Sequence, residues 1–169
     1  LISSVSIAST PSKSLNDYYI HGKEPTVLYQ KIKRFEDKDP IKNKLSYKDD
    51  NDLMETCKII CSNSDENWSK YDLVTFAIGE SKLNRKAFNR LDGGKGLYQL
   101  TGSWYKKLDW VTNPYNKKQN TKAAKWLLNE NLKRFKSKHE AIKRFNGSNV
   151  KANNYRKRFY KLRYEIIKS

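Results

Sequence analysis

A chain of 169 residues is long enough to bury a real core without staples and suggests one domain, with room for an extension. Thirty-five Lys and Arg against eighteen Asp and Glu give a net charge of +17, a field that attracts polyanions such as nucleic acid, anionic lipid or an acidic cell-wall polymer without saying which. No stretch reaches the apolar length of a membrane span.

The opening LISSVSIAST is small and mildly apolar, and because the chain starts at Leu1 rather than Met the expectation is a trimmed secretory signal or anchor region. Residues 1–46 read as a polar extension that wraps the domain or stays loose, punctuated by Pro11, Pro25 and Pro40. One helix is expected in it, with Pro25 at the first helical position and Leu28, Ile32 and Phe35 on one face. From residue 47 the pattern is consistently helical, so 47–169 is expected to form a compact all-α domain. Asp52 is the expected cap of a helix carrying Leu53, Cys57, Ile60 and Cys61. The two cysteines are read as core thiols. A disulfide across one helical turn is geometrically poor, and His21 and His139 lie too far off in sequence to complete a metal site. No metal and no cofactor are expected.

After a polar turn at 64–67, Ser69 precedes an apolar run from Tyr71 to Ile78 that ends in Glu80, with Leu73, Val74, Ala77 and Ile78 as its inner face. Residues 84–103 hold four of the seven glycines and read as an irregular loop with, at most, a small strand pair. Asn113-Pro114 is the expected start of a helix through Ala124, Leu127, Leu128, Leu132 and Phe135. A short helix around Ala141, Ile142 and Phe145 ends at the Asn146-Gly147 cap pair. The last helix places Tyr155, Phe159, Leu162 and Ile166 on one stripe. Residues 130–169 carry thirteen Lys and Arg against three Asp and Glu, ten of the seventeen excess charges.

Glu80 is the candidate catalyst. On a helix it shares a face with Phe76 and Ala77. A carboxyl at the wet end of a greasy helix loses hydration, and its pKa rises toward neutrality. An acid for glycosidic-bond cleavage needs this environment. A solvated helix-end Glu is the plainer alternative from the spacing alone. Asp92 is the one other carboxylate placed to reach the same region, although Asp92-Gly93-Gly94 is also an ordinary turn sequence.

Three ordered segments carry a family resemblance. Glu80-Ser81 followed by Asn84, then Gly96-Leu97-Tyr98-Gln99-Leu100, then Phe145-Asn146-Gly147 resemble the lytic transglycosylases of the lysozyme-like superfamily, which show Glu-Ser, Gly-Leu-Met-Gln-Ile/Leu and Ala-Tyr-Asn-Ala-Gly in that order on a mostly helical domain. The resemblance covers about residues 50–167. It implies Glu80 as the catalytic residue and Ser81, Asn89, Gly96, Tyr98, Gln99, Phe145 and Asn146 as the substrate-binding set. Departures are plain. Tyr98 replaces Met, Phe145 lacks a tyrosine hydroxyl, and Asn89 stands near a family Ser that hydrogen-bonds the catalytic carboxylate. The last helix lacks the family's Glu-Thr pair, which leaves Tyr155 and Tyr160 both open as its tyrosine. Tyr98 is expected either to offer a face to a sugar ring or to fill core beside Trp104. Trp104, Trp110 and Trp126 are candidate groove aromatics, with Trp126 weighted toward the core.

The resemblance implies cleavage of peptidoglycan glycan strands, in which Glu80 acts first as acid and then as base to form a 1,6-anhydro end. It also implies a periplasmic or cell-envelope setting, a bacterial or phage origin, and a cell-envelope machine as a candidate partner. A monomer is expected. The alternatives are a hydrolase that uses water, and a basic nucleic-acid- or cell-wall-binding domain without catalysis. The tyrosines interleaved with Lys and Arg in the last helix fit phosphate contacts and stacking, but no recognisable reading motif accompanies them, so no specific nucleic acid is expected.

Overall fold

A computed structural model describes residues 24–147 and 150–169. The trimmed leader expected at the start, Pro11 and His21 lie outside the described residues. Seven helices follow in order: α1 Glu24–Lys38, α2 Asp50–Asn63, α3 Lys70–Ser81, α4 Gly102–Tyr105, α5 Lys117–Phe135, α6 Lys138–Phe145 and α7 Val150–Ile167. The fold is all-α. In place of a strand pair, the 84–103 loop carries two isolated bridges, Phe88 with Lys95 and Lys95 with Leu100. Lys95 is shared by both, and the turns at the glycines leave no extended run in which a ladder could grow.

α3 is the centre of the packing. Every residue from Asp72 to Ile78 is buried, as befits a helix that is apolar nearly all round. α7 packs along it and α2 lies beside it, while α5 packs on α2 and α6, and α6 in turn on α7. α1 contributes Leu28, Ile32 and Phe35 to the same core, so this part of the polar extension is built into the domain. The helix is tied at its start by Lys70 to Glu24 at 2.7 Å and at its middle by Lys31 Nζ, which donates to the Ile167 carbonyl at 2.6 Å.

Two helix starts differ from the sequence reading. Asp49 caps α2 by accepting the Asp52 N–H, whereas Asp52 sits in the first turn and receives the Lys117 ammonium at 2.9 Å. α5 begins three residues beyond Pro114, because the Asn116 side chain accepts the Gln119 N–H while Asn113-Pro114 forms the turn before it. Cys57 is buried and Cys61 half-buried, both as free thiols. Burial pushes Cys57 up to about 12 and Cys61 up to about 11, which keeps both protonated and inert at neutral pH.

Candidate active site

α3 is held at both ends. At its start Ser69 and Asp72 form a reciprocal capping box. Burial alone would raise the Asp72 pKa, but Lys138 at 2.8 Å and Ser69 hold it below the usual carboxylate value, and Arg163 pairs with its other oxygen at 2.7 Å. These contacts fix the start of α3 to α6 and α7. At its far end Lys82 and Leu83 both adopt left-handed backbone, with φ of 56° and 63°, and turn the chain sharply away. Such strain in non-glycine residues costs on the order of 1 kcal/mol each and persists only where packing holds it, here through the buried Leu83 side chain. Ser81 Oγ donates to the Leu97 carbonyl at 2.8 Å and so clamps the helix end to the glycine-rich loop.

Glu80 stands one residue before that end, half-buried. An aromatic floor lies beneath it: Phe76, one turn earlier, packs against Phe145 at 4.7 Å, Phe159 at 4.5 Å and Tyr155 at 6.5 Å between ring centroids. Loss of hydration over this floor is the main reason the Glu80 pKa is pushed up to about 7. The Tyr155 hydroxyl opposes the rise by donating to Glu80 Oε1 at 2.6 Å, Asp92 adds to it, and Arg158 subtracts from it. The same helix therefore carries two carboxyls driven in opposite directions, Asp72 by paired cations and Glu80 by desolvation.

Glu80 opens onto a cavity of about 260 Å³ whose lining includes Asn89, Asp92, Gln99, Trp104, Phe145 and Asn146. Tyr98 backs this wall but is fully buried, its hydroxyl set beside Thr121 of α5, which fits the packing role rather than a sugar platform. Gln99 adopts φ 49° and donates from Nε2 to the Gly96 carbonyl at 2.9 Å and to the Ala87 carbonyl at 3.1 Å. Its Oε1 makes none of these bonds. Asn89 Oδ1 accepts the Leu91 N–H, and no Asn89–Glu80 hydrogen bond forms. Gly96 and Ser81 stay behind the cavity wall as supports. A Cβ on Gly96 would meet the Pro114 carbonyl oxygen at 2.5 Å, and its φ of 76° suits glycine. Trp104 lines the cavity and meets Trp126 edge-on at 6.3 Å. Trp126 is half-buried, packed against the core and bordering a separate surface groove, and Trp110 sits under the Lys122 ammonium outside the cavity lining.

Two residues that shape the site were not singled out from the sequence. Asn120, buried on α5, accepts the Tyr98 N–H at 2.9 Å and donates to the Lys95 carbonyl and to Tyr105 Oη, so one amide positions the whole motif loop. Its only sequence signal is an amide on the inner side of the helix, beside Thr121, Ala123 and Ala124. Arg158 is the other, and its charge reads in sequence as one of many in a basic helix. Of the two tyrosines left open, Tyr155 reaches Glu80, whereas Tyr160 packs against the His139 ring at 5.1 Å. Among the described residues no group of three or more His, Cys, Asp or Glu is placed to hold a metal ion.

Glu80 is thus a desolvated carboxyl held by a tyrosine hydroxyl at the head of a cleft in a helical domain, with a pKa near that required of an acid–base group. The sequence model of the transglycosylase SLT domain matches residues 59–167, and the chain belongs to that family, whose activity is transglycosylase-type lysis of peptidoglycan in the cell envelope. No curated protein and no solved structure matches the chain. No helix among the described residues is long and apolar enough to cross a membrane.

Proposed function

We propose that this protein is a lytic transglycosylase that cleaves the β-1,4 bond between N-acetylmuramic acid and N-acetylglucosamine and leaves a 1,6-anhydro end. The observation that carries the reading is Glu80, whose pKa of about 7 lets one residue hold a proton and then take one back near neutral pH. Tyr155 occupies Oε1, which leaves Oε2 to carry the proton. Glu80 donates that proton to the glycosidic oxygen as the bond to the anomeric carbon breaks. The substrate's own acetamido oxygen stabilises the positive charge there. The Glu80 carboxylate then takes the proton of the C6 hydroxyl as that oxygen closes on the anomeric carbon. Protons balance and no water is consumed. Gln99 Oε1 and the Asn146 amide, both in the cavity lining, would hydrogen-bond the sugar, with the half-buried Trp104 as an aromatic of the wall. The setting that follows is the periplasm or cell envelope of a bacterium, or an assembly that must cross it.

A hydrolase is the second reading, favoured by Asp92, a second carboxylate in the same cavity as Glu80. The test is digestion of purified peptidoglycan by the wild type and Glu80→Gln, with muropeptides read by mass spectrometry. Products one water lighter than hydrated ends, made only by the wild type, support transglycosylation. Hydrated ends make it a lysozyme. Equal digestion by both proteins removes Glu80 as the catalyst.

A further inference from the structure

A second cavity of about 330 Å³ adjoins the catalytic one, and the two share only Glu80 and Asn146. It runs between α3 and α7. Its floor is apolar, formed by Phe159, Leu162 and the bare backbone of Gly79, and Arg158 stands on its wall. Three-residue and four-residue steps along α7 put Tyr155, Arg158, Phe159 and Leu162 on the same side, so the tyrosine that holds Glu80 and the guanidinium belong to one wall. Arg158 is exposed and makes no ion pair with any described residue, unlike Arg156 and Arg163 of the same helix, which reach Glu140 and Asp72. Lys151, Lys157 and Lys161 are exposed along the same helix and likewise lack a carboxylate partner among the described residues. A groove with an unpaired guanidinium on its wall, an apolar floor and further cations along the same helix fits an anionic chain with small apolar side groups.

The substrate of the reading above, on which this inference rests, carries such a chain. The ring whose anomeric carbon must sit at Glu80 also bears a lactyl ether, and through it a short peptide with free carboxylates. That substituent leaves from the ring being cut, so the cavity that opens beside Glu80 is where it can go. We propose that the α3–α7 groove takes the stem peptide and that Arg158 pairs with one of its carboxylates, making the protein selective for peptide-bearing strands over bare glycan. Arg158 is then a specificity residue. It takes no part in proton transfer.

The test compares kcat/KM on soluble strands that carry stem peptides with the same strands stripped by an amidase, for the wild type and Arg158→Gln. The readout is the ratio of the two, because any effect of Arg158 on the Glu80 pKa acts on both substrates and cancels. The wild-type ratio is expected to exceed one, and Arg158→Gln to lower it about tenfold, the worth of one charge-assisted pair. Arg158→Lys should recover part of the loss, and added salt should shrink the wild-type ratio. A wild-type ratio of one, or a ratio unmoved in Arg158→Gln, overturns the inference while leaving the peptidoglycan reading intact. An Arg158 effect that disappears when phosphate polymers are stripped from the peptide-bearing strands with hydrofluoric acid assigns the guanidinium to phosphate and also overturns it. Failure of the wild type to cut either substrate overturns the peptidoglycan reading, and this one with it.

Discussion

Replacing Tyr155 by Phe removes one hydroxyl and leaves the aromatic floor in place. That hydroxyl donates to Glu80 Oε1 at 2.6 Å, a short charge-assisted bond when Glu80 is ionised. A hydrogen bond to a charged group contributes about 1.5–3 kcal/mol, and the protonated acid keeps a weaker version of it, so roughly 1–2 kcal/mol is specific to the carboxylate. At 1.36 kcal/mol per pH unit, its loss makes Glu80 harder to ionise by about one pH unit. An acid catalyst is active while protonated, so log kcat/KM of the wild type should turn downward near pH 7, where Glu80 titrates. In Tyr155→Phe the descending limb should move to higher pH by about one unit. Well below pH 7 both enzymes hold the proton, and the variant should lose only what positioning supplied, about three- to tenfold. The assay is release of soluble muropeptides from labelled peptidoglycan across pH 5–9. A limb that stays in place or moves to lower pH refutes the account of Glu80, because it would mean that the hydroxyl does not favour the ionised form.

Glu80→Gln should be more stable than the wild type at pH 8. The folded-state pKa of about 7 lies above the ordinary 4.5, so this group's contribution is full below about pH 4.5 and is lost as pH rises through 7, at a cost of up to about 3 kcal/mol; thermal melts of both proteins should converge at pH 4.5. Asp72 behaves oppositely. Its folded pKa is lowered, so its stabilisation is present at neutral pH and disappears as pH falls below the ordinary carboxylate value; Asp72→Asn should cost about 2–3 kcal/mol at pH 7 by urea melts, with the difference closing in acid. Gly96→Ala should cost about 3 kcal/mol or more and weaken cleavage, since a Cβ there strikes the Pro114 carbonyl and the Asn120 amide; an unchanged urea midpoint would show that the loop can shift to admit it.

Periodicity alone reads most of the helices, because each needs only an apolar face at 3.6-residue spacing, and Leu28, Ile32, Leu53, Leu73, Leu128, Phe159 and Ile166 all lie where their stripes put them. The raised pKa of Glu80 is legible in part for a similar reason, since Phe76 of its apolar floor is its own neighbour one turn back, whereas Phe145, Phe159 and Tyr155 arrive from other helices. Capping is less legible. Asp49, Asp50 and Asp52 are chemically alike, and only the local backbone decides that Asp49 turns out of the helix.

What only tertiary structure decides are the partners brought from far along the chain. Tyr155 reaches Glu80 across seventy-five positions, and Tyr160, equally tyrosine and on the same helix, does not, because the rotation of α7 against α3 selects one of the two. The same rotation turns Arg158 toward the groove and Arg163 onto Asp72. Tyr98 is buried because α5 covers it, with the Asn120 amide holding its backbone. A sequence pattern records which side of a helix faces apolar surroundings. It does not record which residue of another helix arrives there, since that depends on the angle and height at which two helices pack.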